Sequence, residues 1–288
     1  MPVLEIVFPV FSIIALGYLL GRVKSIDIPT LSEIVVNVTN PCLIFISIAR
    51  RDIAPSEWLV MGGAAAAIVL GTGVMMWGYQ QARGMKMRGL FLPAMFMNAG
   101  NMGLPFALLA FGQSGFDKAL IFFITVGLLH YSLGVYIAKG DGDFKEIFRL
   151  PLIYAALGGL FCSAYGFKLP KLIMTPVEML ADAAIPLMIL NLGTQLRFHT
   201  VSHLRHALAG VGIRMGGGVL LATVLVMIFG ITGTSRNVIL LDSLMPPAVF
   251  NIMLAQKYRA DADAVASTIV LGTLLSIATT TIFLLLIN

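Results

Sequence analysis

The chain has 288 residues and a net charge of +5, and the apolar set AVILMFWYC makes up 58% of it against 11% for Asp, Glu, Lys and Arg. A soluble domain carries about twice that charge, and the mean hydropathy is +0.94, so a soluble enzyme or a nucleic-acid-binding module is excluded. The composition describes an all-α integral membrane protein, and at about 28 residues per span and loop the length allows about ten spans.

In chain order, apolar spans are expected at 4–20, 34–48, 59–79, 89–111, 120–138, 151–166, 172–195, 207–229, 237–255 and 264–287. The first is read as a span and not a cleaved leader, because Glu5 lies at its start and Gly21-Arg22-Val23-Lys24 follows it instead of a small-residue cleavage site. The polar stretch 139–149 then separates a first unit, 1–138, from a second, 150–288, each with five spans. Five is odd, so the second unit enters the membrane the opposite way round, as in an inverted-topology repeat. Proline placement echoes this symmetry. The second span carries Asn40-Pro41 where the seventh carries Pro186 and Asn191, and the fourth carries Pro105 where the ninth carries Pro246-Pro247.

Basic residues set the orientation. One set of loops holds Arg22, Lys24, Arg83, Lys86, Arg88, Lys139, Lys145, Arg149, Arg197, Arg205, Lys257 and Arg259; the other holds Arg50, Arg51, Lys118, Lys168, Lys171 and Arg236. The richer side is the cytoplasmic one, which puts both termini outside. His199, His203 and His206 fall in a solvated cytoplasmic loop.

Two stretches interrupt the apolar pattern: Met97-Asn98-Ala99-Gly100-Asn101-Met102-Gly103-Leu104-Pro105, and Asp242-Ser243-Leu244-Met245-Pro246-Pro247-Ala248-Val249-Phe250-Asn251. A broken helix strands backbone N–H and C=O groups, so in a bilayer the break must be buried in protein or line a cavity. A matched pair of breaks in two halves points to a transport site near the midplane. A proline opening each second half-helix sacrifices no hydrogen bond. The free N–H groups and positive end of each half-helix suit a carboxylate or other small anion, which the amides of Asn98, Asn101 and Asn251 orient.

Four ionisable side chains or pairs lie within or near the apolar core. Asp242 sits on the second break, as a coupling-ion or proton site or as a partner for freed backbone N–H groups. Arg214 binds the anion, counter-charges a carboxylate or snorkels outward. His130, mid-span beside Tyr131, is a proton relay or a hydrogen-bonded packing residue. Glu178 and Asp182 share a helix face near the outer end of the seventh span, as at a solvated entrance. Cys42 and Cys162 read as packing residues without a disulfide or metal context. Gly140-Asp141-Gly142-Asp143 falls in the central loop, where it lacks the context of an intramembrane protease motif. No phosphate loop, nucleophile elbow or zinc spacing occurs, so neither an enzyme nor a resident cofactor or metal is expected.

Four motifs in order carry a family resemblance: Asn40-Pro41; the break at 98–105; Leu190-Asn191-Leu192-Gly193-Thr194-Gln195-Leu196; and Met245-Pro246-Pro247-Ala248-Val249 with Ala255-Gln256-Lys257-Tyr258. Over its whole length the chain resembles the auxin efflux carrier family, which includes plant auxin exporters and bacterial permeases for small organic acids. The resemblance implies ten transmembrane helices as two inverted repeats with crossed broken helices 4 and 9, similar to sodium/bile-acid symporters and sodium/proton antiporters. It implies a mobile transport domain of spans 3–5 and 8–10 on a scaffold of spans 1, 2, 6 and 7, and a homodimer formed through that scaffold. Carried over, the crossing region puts Asn98, Asn101, Pro105, Pro246, Pro247 and Asn251 at the site; Gly103 is expected to join the substrate site, with Asn40, Pro41 and Asn191 on its scaffold side. Ion coupling, to protons or sodium, falls to Asp242, His130 or Arg214. The central stretch is far too short for the regulatory loop of plant carriers, so the compact form looks like a bacterial member of the inner membrane. The expected function is elevator-like secondary transport of a small organic anion, a carboxylate such as malate, malonate or an auxin-like acid. A non-transporting ligand sensor and a cation/proton antiporter are the alternatives.

Overall fold

A computed structural model describes residues 3–24, 26–51, 54–140, 151–196 and 202–287. Most of the stretch 139–149, the Gly140-Asp141-Gly142-Asp143 string apart from Gly140, and His199 lie outside these described residues. All regular elements among the described residues are helical, apart from one antiparallel bridge between Met97 and Pro247.

Helix α1 spans Val3–Val23. Helix α2, Ile28–Ile34, is capped by Asp27, which accepts from the Thr30 N–H at 3.3 Å, and has a proline in its first turn where no N–H is needed. It runs through a π-helical turn, Val35–Thr39, into α3, Asn40–Ala49. Helix α4, Pro55–Arg83, opens on a proline and closes on Gly84 in the left-handed region. The first break follows, as a single turn α5, Phe91–Met95, an extended step at Phe96, and a π-helical turn Ala99–Gly103. Helix α6, Leu104–Leu129, is kinked at Gly112, whose φ of 63° and ψ of −156° no side-chain-bearing residue adopts readily. A further π-helical turn, His130–Gly134, leads to α7, Val135–Lys139.

The second half holds α8 (Pro151–Tyr165), α9 (Lys171–Leu196) and α10 (Leu204–Val211). A π-helical turn Gly212–Gly217 joins α10 to α11 (Gly218–Ile228). The second break lies between α12 (Gly233–Leu244) and α13 (Phe250–Lys257), and α14 (Ala262–Ile287) ends the fold.

Seven helical runs among the described residues are long and apolar enough to cross a membrane: Val3–Val23, Ile28–Ala49, Pro55–Arg83, Ala99–Lys139, Lys171–Leu196, Leu204–Ile228 and Ala262–Ile287. The expected spans at 89–111 and 237–255 are not continuous helices, and the one at 151–166 is a 15-residue helix. The run Ala99–Lys139 consists of two helices that meet at the non-helical Gly112, so the segment expected at 120–138 lies in the helix that follows the second part of the fourth.

Polarity is inverted relative to a water-soluble fold. Leu172 and Leu286 are 88% and 80% exposed, whereas Arg214 and Asp242 are fully buried. Large exposed apolar side chains on this scale require lipid as the solvent. Helix α1 packs along α9, and α3 along α8 and α9; α4 packs on α6 and α11, α6 on α12, and α10 and α13 on α14. The broken segments belong to the second group, and the first group closes over one face of the break.

The α1–α9 contact is a close backbone approach. A Cβ on Gly17 would stand 2.2 Å from the Leu190 carbonyl oxygen, and one on Gly193 would stand 2.1 Å from that of Ile14. Small residues give membrane helices this proximity. Gly193→Val is expected to force the helices apart and lower stability by about 1–3 kcal/mol. Gly63→Ala, where nothing lies within 4 Å of the added carbon, serves as the neutral control. Thermal unfolding of the two variants in detergent checks this, and equal midpoints would count against the contact.

Candidate functional site

The two breaks meet and hydrogen-bond to each other. The Asn98 N–H donates to the Pro246 carbonyl at 2.8 Å, and the Ala248 N–H donates to the Phe96 carbonyl at 2.9 Å. These bonds frame the Met97–Pro247 bridge, so backbone groups freed by each break are satisfied by the other. The expectation that a proline opens each second half-helix holds for Pro105, in the first turn of α6. It fails for Pro246-Pro247, which lie in the extended strand of the crossing before α13 begins at Phe250. There the missing N–H groups reduce the donors that the strand must satisfy.

A cavity of about 120 Å³ lies against this crossing. From the first break come Met97, Asn98, Gly100 and Asn101; from the second come Ala248, Val249 and Phe250. The opposite wall is Ser32, Val35, Val36 and Asn40 with Leu152 of α8 and Met188, Asn191 and Gln195 of α9. Among the described residues the lining contains no Asp, Glu, Lys or Arg. Its polar groups are amides and hydroxyls together with His130.

The two walls are ordered differently. On the α9 side, Asn191 Nδ2 donates to Ser32 Oγ at 3.2 Å and Gln195 Nε2 donates to the same oxygen at 3.4 Å. Asn40 is 8% exposed and its Oδ1 has no hydrogen-bond partner. On the crossing side, Asn98 is 3% exposed and its Nδ2 has no partner. A buried amide donor left unpaired costs about 1–3 kcal/mol, which an acceptor in the cavity would recover. An aromatic floor completes the site. His130 stacks on Phe96 with ring centroids 4.2 Å apart, and Phe250 meets His130 edge-on at 5.2 Å and Tyr131 at 4.7 Å. The cavity also shares Gln195 and Met253 with a hollow lined by Asp27, Pro29, Gln256 and Lys257.

The model of a family described as "Membrane transport protein" matches residues 2–147 and 142–284. The chain belongs to this family. It is the auxin efflux carrier family, whose members are transporters and not enzymes. The transporter is 31% identical to an "Uncharacterized transporter" of Methanothermobacter thermautotrophicus, over 95% of this chain and 94% of that protein. It is 26% identical to a protein of Rhizobium meliloti named "Putative malonate transporter", over 98% and 95%. A rice protein, Oryza sativa subsp. japonica "Probable auxin efflux carrier component 9", is 24% identical over 50% of this chain and 35% of its own length. The full-length matches are to compact archaeal and bacterial chains, as the short central stretch suggests.

Of the residues picked from the transporter's sequence, Asn98, Asn101, Asn40, Asn191 and His130 all line the cavity. Asn251 does not. It is fully buried and its Nδ2 donates to the Phe96 carbonyl at 3.1 Å, tying α13 to the first break. Gly103, Pro105, Pro246, Pro247 and Pro41 shape the backbone and are not in the lining. Asp242 lies behind the first break, against Gly103: a Cβ on that glycine would stand 2.1 Å from Asp242 Oδ1.

Arg214 neither snorkels nor reaches the cavity. Its Nη1 donates to the carbonyls of Met95 at 2.7 Å and Ala94 at 3.4 Å, and its Nη2 to that of Ser243 at 3.3 Å. These carbonyls end the first half-helices α5 and α12, where the helix dipoles leave partial negative charge. Glu178 pairs with Arg50 at an exposed position. Ser32, Tyr131, Gln195 and Phe250 also line the cavity and were not singled out as site residues. Gln195 lay in the Leu190–Leu196 motif, Phe250 in the second break and Tyr131 beside His130, whereas Ser32 had no signal.

Proposed function

We propose that the chain is a secondary transporter that moves a small organic anion, a carboxylate of the size of malonate or malate, by elevator-like alternating access. The observation that carries this reading is the cavity at the crossing, whose described lining includes the amide residues Asn98, Asn101, Asn40, Asn191 and Gln195 and no Asp, Glu, Lys or Arg. Neutral donors hold a carboxylate without trapping it, which suits a site that must release its cargo on both sides. The name of the Rhizobium meliloti relative supports a dicarboxylate. A 120 Å³ cavity fits a compact acid better than an indole acid.

In this reading ten membrane segments form two inverted repeats, 1–138 and 150–288. The helices α4–α7 and α10–α14 are the moving body, and α1–α3, α8 and α9 are the scaffold through which two copies pair. The packing of the two helix groups supports the division. Asn98 and Asn101 hold the anion, Asn40 and Asn191 face it from the scaffold, and Gly103, Pro105, Pro246, Pro247 and Asn251 keep the crossing in shape. The hollow beside Gln195 and Met253 is the cytoplasmic mouth, in a plasma membrane with both termini outside. Protons or sodium couple the movement.

The test is counterflow of radiolabelled malonate in proteoliposomes, with solid-supported-membrane currents recorded for a panel of mono- and dicarboxylates and indole-3-acetate. Saturable exchange of one carboxylate is the expected result. If the panel gives neither exchange nor current while ligand binding is detected, the sensor reading replaces this one.

A further inference from the structure

Asp242 has a feature that the anion site does not use. It is fully buried, and neither carboxylate oxygen has a hydrogen-bond partner among the described residues. It forms no ion pair within 4.0 Å there. A buried ionisable group inside a membrane protein is expensive and calls for a partner. The groups around α12 supply none. Of the elements packed on it, α4 and α14 carry titratable residues only towards their ends, namely Glu57, Tyr79 and Arg83, then Asp263, and α6 carries Asp117 and Lys118 beyond its kink at Gly112, where they pair with Arg51 and Glu57. Helix α11 and the turn Ala99–Gly103 carry none, and the turn Gly212–Gly217 carries Arg214.

Arg214 is engaged elsewhere through its two terminal nitrogens. They bridge the C-terminal ends of α5 and α12, while Nε has no hydrogen-bond partner among the described residues, and none of its bonds goes to Asp242. Asp242 stands against Gly103 at the start of α6, and that helix end supplies at most about half a positive charge. An ionised Asp242 is therefore left at least about half a negative charge uncompensated.

We propose that Asp242 is a proton-binding site that couples proton movement to anion movement. This inference rests on the transporter reading above and names the coupling ion. The turn Ala99–Gly103 is the shared wall. Asp242 presses on its Gly103 face, while Gly100 and Asn101 line the anion cavity. With Asp242 ionised, two negative charges would face each other across this one turn in a buried site, and their repulsion weakens anion binding. A proton added to the carboxylate gives the neutral acid and removes that repulsion, so anion and proton load together and leave together. The proton comes from the solution on the side where the anion enters and is returned on the other side. Among the described residues no three His, Cys, Asp or Glu side chains stand together around Asp242, which favours a proton over a metal cation that needs several ligands.

The experiment uses purified full-length protein in proteoliposomes with radiolabelled malonate. An inward proton gradient is expected to drive accumulation above the counterflow level, and a protonophore to abolish it; protein-free liposomes control for diffusion of the acid. Asp242→Asn is expected to keep counterflow and lose gradient-driven accumulation. Asp242→Asn that still accumulates malonate, or wild-type protein driven only by sodium, would overturn the proton site and leave the transporter reading standing. Wild-type protein without counterflow for any carboxylate would sink both. Should Asp242→Asn fail to fold, proton uptake on malonate binding to the wild-type protein, read in weakly buffered solution, decides the matter: no uptake overturns the proposal.

Discussion

Asn98→Ala is expected to lower malonate affinity by roughly 10- to 100-fold, the value of one or two hydrogen bonds to a charged acceptor at about 1.5–3 kcal/mol each. The expectation comes from an asymmetry within a single residue. The Asn98 backbone N–H is used by the Pro246 carbonyl, so the substitution leaves the crossing intact. The side-chain Nδ2 is buried without a hydrogen-bond partner among the described residues, in a residue that lines the cavity, so its removal is expected to cost the fold little and to deprive the anion of a nearby donor. Thermal stability of Asn98→Ala should equal or slightly exceed that of the wild type. Asn98→Asp should be worse for transport than alanine, because a carboxylate offers no donor and repels the substrate. Equilibrium binding and counterflow measured beside a melting curve check all three. A variant with unchanged affinity would remove Asn98 from the site. Asn251→Ala offers the contrast. Its amide serves the Phe96 carbonyl, so stability and transport should fall together.

Arg214→Ala should be the most damaging single change to the fold, at about 3–5 kcal/mol, the range for breaking a buried charge from its partners. Three carbonyls lose their donor: Ala94, Met95 and Ser243. They end half-helices in an interior that water does not reach, and no described neighbour replaces the guanidinium. Arg214→Lys should recover only part of the loss. A single ammonium lacks the planar fork that reaches Met95 through Nη1 and Ser243 through Nη2 at once. The close packing at Gly218, where a Cβ would stand 2.4 Å from Arg214 Nη2 and 2.7 Å from the Ser243 oxygen, leaves the side chain one seat. Size-exclusion profiles and unfolding midpoints in detergent would show the order wild type, Lys, Ala. If Arg214→Ala instead melted normally and lost only anion binding, Arg214 would be a substrate ligand and not a clamp.

Arg214 and Asp242 together define the charge plan of the crossing. One fixed positive group serves the two helix ends that carry partial negative charge. One negative group lies near a helix start. Neither lines the cavity, whose described polar groups are amides and hydroxyls together with His130.

Much of this was readable without coordinates, and the parts that were share a cause. Composition alone specifies the membrane, since backbone groups in lipid must be satisfied within helices and 58% apolar residues leave no other solvent. The two breaks were visible because Asn, Gly and Pro interrupt hydropathy in a way that lipid does not tolerate. Asn98 and Asn101 followed from them, and Asn40 and Asn191 from the same polar-in-apolar logic. Periodicity is a local property, however, and it stops at a break. Which way Pro246-Pro247, Asn251 and Gly103 point depends on dihedral angles that no repeat encodes. Here an extended crossing turned Asn251 toward Phe96 and put the prolines outside α13. Ser32 and Gln195 look like ordinary interior polar residues until α2 and α9 bring them to one wall from 163 residues apart. Thus the sequence by itself determined the solvent, the helical class, the two interruptions and the family. Only the tertiary structure decided which side chains face the cargo and which hold the crossing, because that choice is made by contacts between segments far apart in the chain, where a charge such as Arg214 is assigned by the helix ends it meets.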